Sequence, residues 1–239
     1  VVHPLRKLCK GVEVFKASVS EIDLEKQRVV VNAGDFSRNL TLTFKQLFLG
    51  LGASIDLSRI PGMPEHALLM QNVGDAMRLR AMVIGRLEEA NIETDPEQKQ
   101  RLLSFVIVGG GYSGAETAGQ LRDMIAAVHK YYEYISFEDV RIYLIHSRDH
   151  LLPTLSEKLG NYTRDVLEKR GVEVLLNQRV KAVTAHCVHL QNGDKIAAST
   201  VVSTIGNGPH KLISALAKRY NLDCDSGRLI TNQHCQIEK

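Results

Sequence analysis

The pattern Gly109-x-Gly111-x-x-Gly114 stands between an apolar run, Leu102 to Val108, and a stretch of helical periodicity that begins near Ser113. That context narrows the fold sharply. An apolar run that ends in β-branched residues predicts a strand covered on both faces. Three glycines at this spacing then let the chain leave the strand and enter a helix at once. Gly109 permits the tight turn, Gly111 keeps a Cβ away from anything approaching the backbone, and Gly114 lets the helix lie close to the sheet. Ala115, Ala118 and Gly119 extend the small surface that such packing needs. The unpaired amides and positive dipole end of the helix favour phosphate groups, so no basic side chain is required. Strand, loop and helix together point to a dinucleotide site; a glycine-rich turn with no ligand is the alternative.

The rest of the chain supports a parallel α/β unit around this motif. Val12 to Val19 and Arg28 to Asn32 read as strands about a polar corner at Glu21-Ile22-Asp23, followed by a strand at Leu40 to Phe44. Leu47 to Ala53 reads as a buried strand ending in glycines, and Pro61-Gly62-Met63-Pro64 reads as a linker. Ala76, Leu79, Val83, Leu87 and Ala90 predict an amphipathic helix over 75–91, capped by Asn72 or Asp75. A polar loop is expected at Glu93 to Lys99. Beyond the glycine motif come a helix to about Tyr132, a strand at Val140 to Ile145, and a helix after Pro153. Thr154 and Glu157 form a capping-box pattern there, and Leu155, Leu159, Tyr162 and Val166 give that helix an apolar face. Strands follow at Val172 to Leu176, Lys181 to Ile196 with a hairpin at Asn192-Gly193, and Val201 to Ile205, and a helix lies near Lys211 to Arg219. The fold class is therefore α/β, a Rossmann-type doubly wound parallel sheet over 67–205 with an inserted β-hairpin or meander. Residues 1–66 and 206–239 are set apart as β-rich flanking pieces.

Composition mainly excludes. The 30 basic and 27 acidic residues are spread along all 239 positions, so nucleic acid is not suggested as a partner. Cys9, Cys187, Cys224 and Cys235 form neither C-x-x-C nor C-x4-C, which gives no metal site and no redox dithiol. No apolar run approaches the roughly 18 to 20 residues that span a bilayer. The triplet Asn161-Tyr162-Thr163 falls within a predicted helix, which argues against its use as a glycosylation site.

Two further positions are candidates for ligand contact. Glu116 either completes a capping box with Ser113 or makes a polar contact near the nicotinamide end of the ligand. At the end of the second strand, where an acidic residue would accept from the 2′-hydroxyl of NAD, the sequence has His146-Ser147-Arg148. His146 and Arg148 suit the 2′-phosphate of NADP, with a solvated loop as the alternative.

With these residues in view, the chain resembles the FAD-dependent pyridine nucleotide-disulfide oxidoreductase superfamily, and within it the type II NADH dehydrogenases (NADH:quinone oxidoreductases). The carriers are Leu47 to Ala53 with Pro61-Gly62, the run Phe105 to Gly119, Leu151-Leu152-Pro153, Asn192-Gly193, and Thr204 to Pro209. The resemblance implies an internal piece of a flavoprotein, with 67–205 as its NAD(P)H domain and 1–66 and 206–239 as remnants of the FAD domain. The glycine fingerprint for FAD would precede residue 1, and the Gly-Asp motif and membrane-facing amphipathic helices would follow the tail. It further implies that Gly109, Gly110, Gly111, Tyr112, Ser113 and Gly114 hold the coenzyme and that Glu116 approaches the nicotinamide. By the same resemblance Gly206 and Asn207 would lie where the two cofactors meet. NAD(H) is the implied coenzyme, NADP(H) stays open, and FAD belongs to the full-length protein. By the same resemblance the acceptor is a quinone and the protein is cytoplasmic and peripheral to the membrane, with a homodimer allowed. The piece alone would have little turnover. A disulfide, ferredoxin or apoptosis-inducing-factor type reductase is the nearest alternative, and a non-catalytic dinucleotide sensor a more distant one.

Overall fold

In the computed structural model, which describes residues 4–35 and 38–237, all five residues of Ser104–Val108 are buried. A strand buried on both sides needs hydrogen-bonded neighbours on both edges, and it has them. Five parallel strands run in the order Ala67–Leu69, Thr200–Ser203, Ser104–Val108, Arg141–Ile145 and Val172–Leu175. Side chains alternate across this sheet as pleating requires. Phe105 and Ile107 point into a core built with Leu79, Val83 and Leu87 of the helix Val73–Ile92 and Leu121 and Ile125 of the helix Tyr112–Val128. Val106 and Val108 join a second core with Val180, Val183, Val188 and Leu190. Helices thus cover one face, and on the other the antiparallel strands Val180–Val183, Cys187–Leu190 and Lys195–Ala197 take their place. Each fully buried Phe, Ile or Val contributes on the order of 1.5–3 kcal/mol relative to exposure.

The chain forms two compact units, Val1–Ala53 with Pro209–Lys239, and Ser54–Gly208. The second holds the parallel sheet and is wider than the 67–205 span read from sequence. Its extra N-terminal stretch is anchored: Met63 is fully buried in the second core, and the Val183 amide donates to the Pro61 carbonyl at 2.9 Å. In the first unit, the antiparallel strands Ser18–Asp23, Arg28–Asn32 and Leu40–Thr43 pack Ile22, Val29 and Val31 against Leu216 of the helix Lys211–Tyr220. The Leu24 amide donates to the Tyr220 hydroxyl at 3.0 Å, and Arg219 reaches Glu21 at 3.2 Å.

Five local expectations are corrected. Glu21 to Asp23 lie inside the first strand, and the turn comes at Leu24 to Gln27. The run Leu47 to Gly52 forms no strand, since it finds no ladder partner, and Phe48 is 90% exposed; the strand begins only at Ala53. Glu93 to Lys99 is not all loop, because Pro96–Leu102 is helical behind an Asp95 cap. The Thr154 capping box does not form: Ser156 is the cap residue of the helix Glu157–Lys169, and Thr154 Oγ1 donates to the Tyr112 hydroxyl instead. On that helix Leu159 and Tyr162 of the apolar stripe are exposed, as is Leu155 just before it.

Candidate functional site

The order of the sheet strands reverses between Ser104–Val108 and Thr200–Ser203, and ligands of open α/β sheets bind at the carboxyl ends beside such a switch. The glycine loop stands at that place. Gly109, at φ +118°, donates its amide to the Ile145 carbonyl at 2.9 Å, and a Cβ on it would lie 2.6 Å from Thr204 and Ile205. Gly114 is more confined still, since a Cβ there would come within 1.7 Å of the Gly109 carbonyl oxygen. Gly111 differs from both: nothing lies within 4 Å of the position its Cβ would occupy. Two glycines therefore serve close packing, and the third leaves open space in front of the backbone.

Gly111 is also the cap residue of the helix, with extended backbone and no side-chain cap. Ser113 sits inside the first turn, so the Ser113–Glu116 capping box is not formed. Tyr112, Ser113 and Glu116 are exposed. The first amides of any helix lack a carbonyl one turn earlier. With those of Gly109 and Gly110 already bonded within the protein, the amides from Gly111 to Ser113 are among those left to meet an anion.

His146 and Arg148, paired in the sequence reading, are placed differently. Arg148 is exposed. His146 is only 9% exposed, and its Nδ1 accepts the Gly110 amide at 3.1 Å. Its Nε2 is buried with no hydrogen-bond partner among the described residues. Burial holds its pKa below the ordinary histidine value, helped by the positive charges of Arg148 and His150 and opposed by Asp149. Asp149 bonds the His150 imidazole at 2.7 Å, which holds its own carboxyl below the usual range.

Three residues given no site role from spacing alone turn out to seat the loop. Thr204 Oγ1 donates toward the carbonyls of Val108 and Gly109 at 3.0 and 3.1 Å. The Leu152 amide donates to the Gly110 carbonyl at 2.8 Å from a left-handed backbone, φ +52°, which a branched residue adopts only where its surroundings impose it. Leu151 is fully buried against Gly110. The family pattern Leu151-Leu152-Pro153 was the available signal for two of them. Gly206, at φ +91°, accepts the Asp56 amide at 3.0 Å; the Asn207 side chain lies outside the described residues.

A cavity of about 290 Å³ opens beside the loop, with Val108, Ile145 and Val180 among its apolar lining and Ser147, Arg179 and Arg59 among its polar groups. No carboxylate lines it among the described residues. A larger, shallower cleft of about 620 Å³ follows the edge strand Val172–Leu175 and contains no glycine-loop residue. Its arginines are engaged within the protein: Arg122 donates to the Arg170 and Val140 carbonyls, and Arg141 pairs with Glu173 at 3.3 Å. The smaller cavity is therefore the one that fits a ligand of the glycine loop. No cluster suited to a metal ion occurs among the described residues.

Known proteins resemble this chain in sequence and in fold. The family model for pyridine nucleotide-disulphide oxidoreductases matches residues 3–239. A probable NADH dehydrogenase of Dictyostelium discoideum is 28% identical over 245 residues, covering all of this chain and 53% of that protein. The external alternative NAD(P)H-ubiquinone oxidoreductase B1 of Arabidopsis thaliana mitochondria is 32% identical over 195 residues, 77% of this chain and 34% of that one. This chain thus spans about half the length of the first relative and about a third of the second. The solved structure of NDH2 from Plasmodium falciparum in complex with NADH superposes with a TM-score of 0.77 at 22% identity, over 85% of this chain and 43% of that one.

Proposed function

The chain belongs to the pyridine nucleotide-disulphide oxidoreductase family, and from that premise we propose that it is the NAD(P)H-binding portion of an FAD-dependent NADH dehydrogenase that delivers electrons to a quinone. One observation carries the reading: the Cβ position of Gly111 opens on free space while those of Gly109 and Gly114 are closed by backbone and side chains. A pyrophosphate fits such a cradle, against the first amides of a helix and beside a cavity with an apolar lining. The relatives quoted, an NADH dehydrogenase and an NAD(P)H-ubiquinone oxidoreductase, supply the activity class.

In this reading the hydride and electron chemistry belongs to the nicotinamide and the flavin, and the protein binds and orients them. Gly111, Tyr112 and Ser113 hold the pyrophosphate through their amides, with Gly109, Gly110 and Gly114 shaping the turn. Glu116 offers a polar contact toward the nicotinamide, and Gly206 and Asn207 border the flavin. At the adenosine end Arg148, together with Arg179 on the cavity wall, takes the place of the usual acidic residue, so the 2′-phosphate of NADPH is accepted alongside NADH. Parts of the protein outside this chain complete the flavin site, reach the quinone at the membrane surface and supply any contact between copies.

The test is calorimetric titration of the chain with NADH and NADPH, before and after Gly111→Val. Binding with micromolar affinity that the branched side chain abolishes is expected. Retention of binding by Gly111→Val would move the nucleotide away from the loop and sink the reading.

A further inference from the structure

The family reading leaves one group in the loop without a role. The imidazole of His146 lies beneath the glycine loop, with Nδ1 against the Gly110 amide and Nε2 buried and unpartnered. A Cβ on Gly110 would stand 2.6 Å from the ring, so the loop is shaped around this side chain. We propose that His146 is a positioning residue of the dinucleotide site: its unprotonated Nδ1 holds the Gly110 amide inward and thereby fixes which amides of the loop face the pyrophosphate. The inference rests on the dinucleotide reading above and assigns the residue that regulates that same site.

The chemistry is a matter of donors and acceptors. A neutral imidazole that accepts at Nδ1 carries its proton on Nε2. A second proton would have to go to Nδ1, where the Gly110 N–H already points, and donor would face donor. Protonation therefore breaks the bond, leaves Gly110 held only through its carbonyl at Leu152 and lets the amides of Gly111 to Ser113 shift. The charged groups around the ring favour the neutral state. Arg148 and His150 oppose a positive charge from its own loop and Asp149 alone favours one, while Arg59 and Arg179 line the adjoining cavity.

The test is dinucleotide titration of the full chain between pH 5 and pH 8, comparing the native protein with His146→Asn, His146→Ala and Gly111→Val. The Oδ1 of an asparagine reaches the place of Nδ1 and accepts at every pH. The native chain should lose NADH affinity as the pH falls through the titration of His146, approaching about tenfold per pH unit. His146→Asn should bind as the native chain does at pH 8 and show no such fall, and His146→Ala should bind about tenfold more weakly at every pH. Should His146→Ala fold poorly, long-range ¹H–¹⁵N correlation on the native chain decides directly: Nδ1 unprotonated at pH 7.5, with the Gly110 amide shift following the ring's titration, is the expected result. A protonated Nδ1, or an identical pH profile in native and His146→Asn proteins, overturns the proposal. Binding that is abolished by Gly111→Val but indifferent to residue 146 overturns this inference and leaves the dinucleotide reading standing; no binding by any form overturns both.

Discussion

At the scale of single residues, glycines that look alike in the sequence carry different loads. Gly114→Ala drives a methyl group into the Gly109 carbonyl at 1.7 Å, and the atom it meets there is backbone rather than the end of a flexible side chain. Such overpacking should cost at least about 2 kcal/mol and lower Tm by roughly 5 °C or more in thermal unfolding. Gly111→Ala meets nothing within 4 Å and has an ordinary extended backbone, so its stability should stay within about 0.5 kcal/mol of the native chain. If both substitutions unfold the protein equally, the division of labour within the loop is wrong. The spacing in the sequence announces these three positions, because each demand for a missing Cβ recurs wherever a strand turns directly into a helix. The orientation of His146 was not legible in the same way. A histidine after a strand reads equally well as an exposed ligand contact or a buried acceptor, and only the absence of a side chain at Gly110, one strand away, decides between them.

At the scale of elements, hydrophobic periodicity told what was apolar but not what would cover it. Val73–Ile92 is legible because its buried positions Leu79, Val83, Leu87 and Ala90 meet the parallel sheet, and of its two candidate caps Asn72 is the cap residue, with Asp75 completing a capping box. The helix Glu157–Lys169 carries a stripe as regular, yet Leu159 is 47% exposed and Tyr162 66%. The run Leu47 to Ala53 has the apolar character and closing glycines of a buried strand, but a strand also needs an edge to pair with, and Leu47 to Gly52 has none. The opposite error hid Pro96–Leu102, whose only buried residue is Leu102. Its start was written in local chemistry, since the Asp95 carboxylate accepts the amides of Glu97 and Gln98 at 2.9 and 3.0 Å and Pro96 is pre-organised for the first turn. With so little burial behind it, this helix should depend on its cap. Asp95→Ala should cost about 1 kcal/mol, and hydrogen exchange at Lys99 to Leu103 should quicken with it. Unchanged protection there would mean that Leu102 alone suffices.

At the scale of the whole molecule, the boundaries of the nucleotide-binding unit follow from what its flanks bury rather than from their composition. Pro61-Gly62-Met63-Pro64 has the makeup of a linker. In the structure it is a plug: Met63 is fully buried, and Gly62 lies so close to the Val183 carbonyl that a Cβ would stand 1.8 Å from its oxygen. A cut at residue 67 would remove this plug and open the second core to water. A cut at residue 54 would not, because both cores around the parallel sheet are built from residues of Ser54–Gly208. The ends of that unit also meet, with the Asp56 amide donating to the Gly206 carbonyl at 3.0 Å, so excision leaves two neighbouring termini and no long loop to close. A chain of this length supports a core of its own. Residues 54–208 expressed alone should therefore unfold in one cooperative thermal transition and bind NADH within about threefold of the 239-residue chain, whereas 67–205 should unfold at least about 10 °C lower. Equal stability of the two fragments would show the plug to be dispensable and return the boundary to residue 67. Cooperative folding without NADH binding would show that the other unit, Val1–Ala53 with Pro209–Lys239, contributes to the nucleotide site.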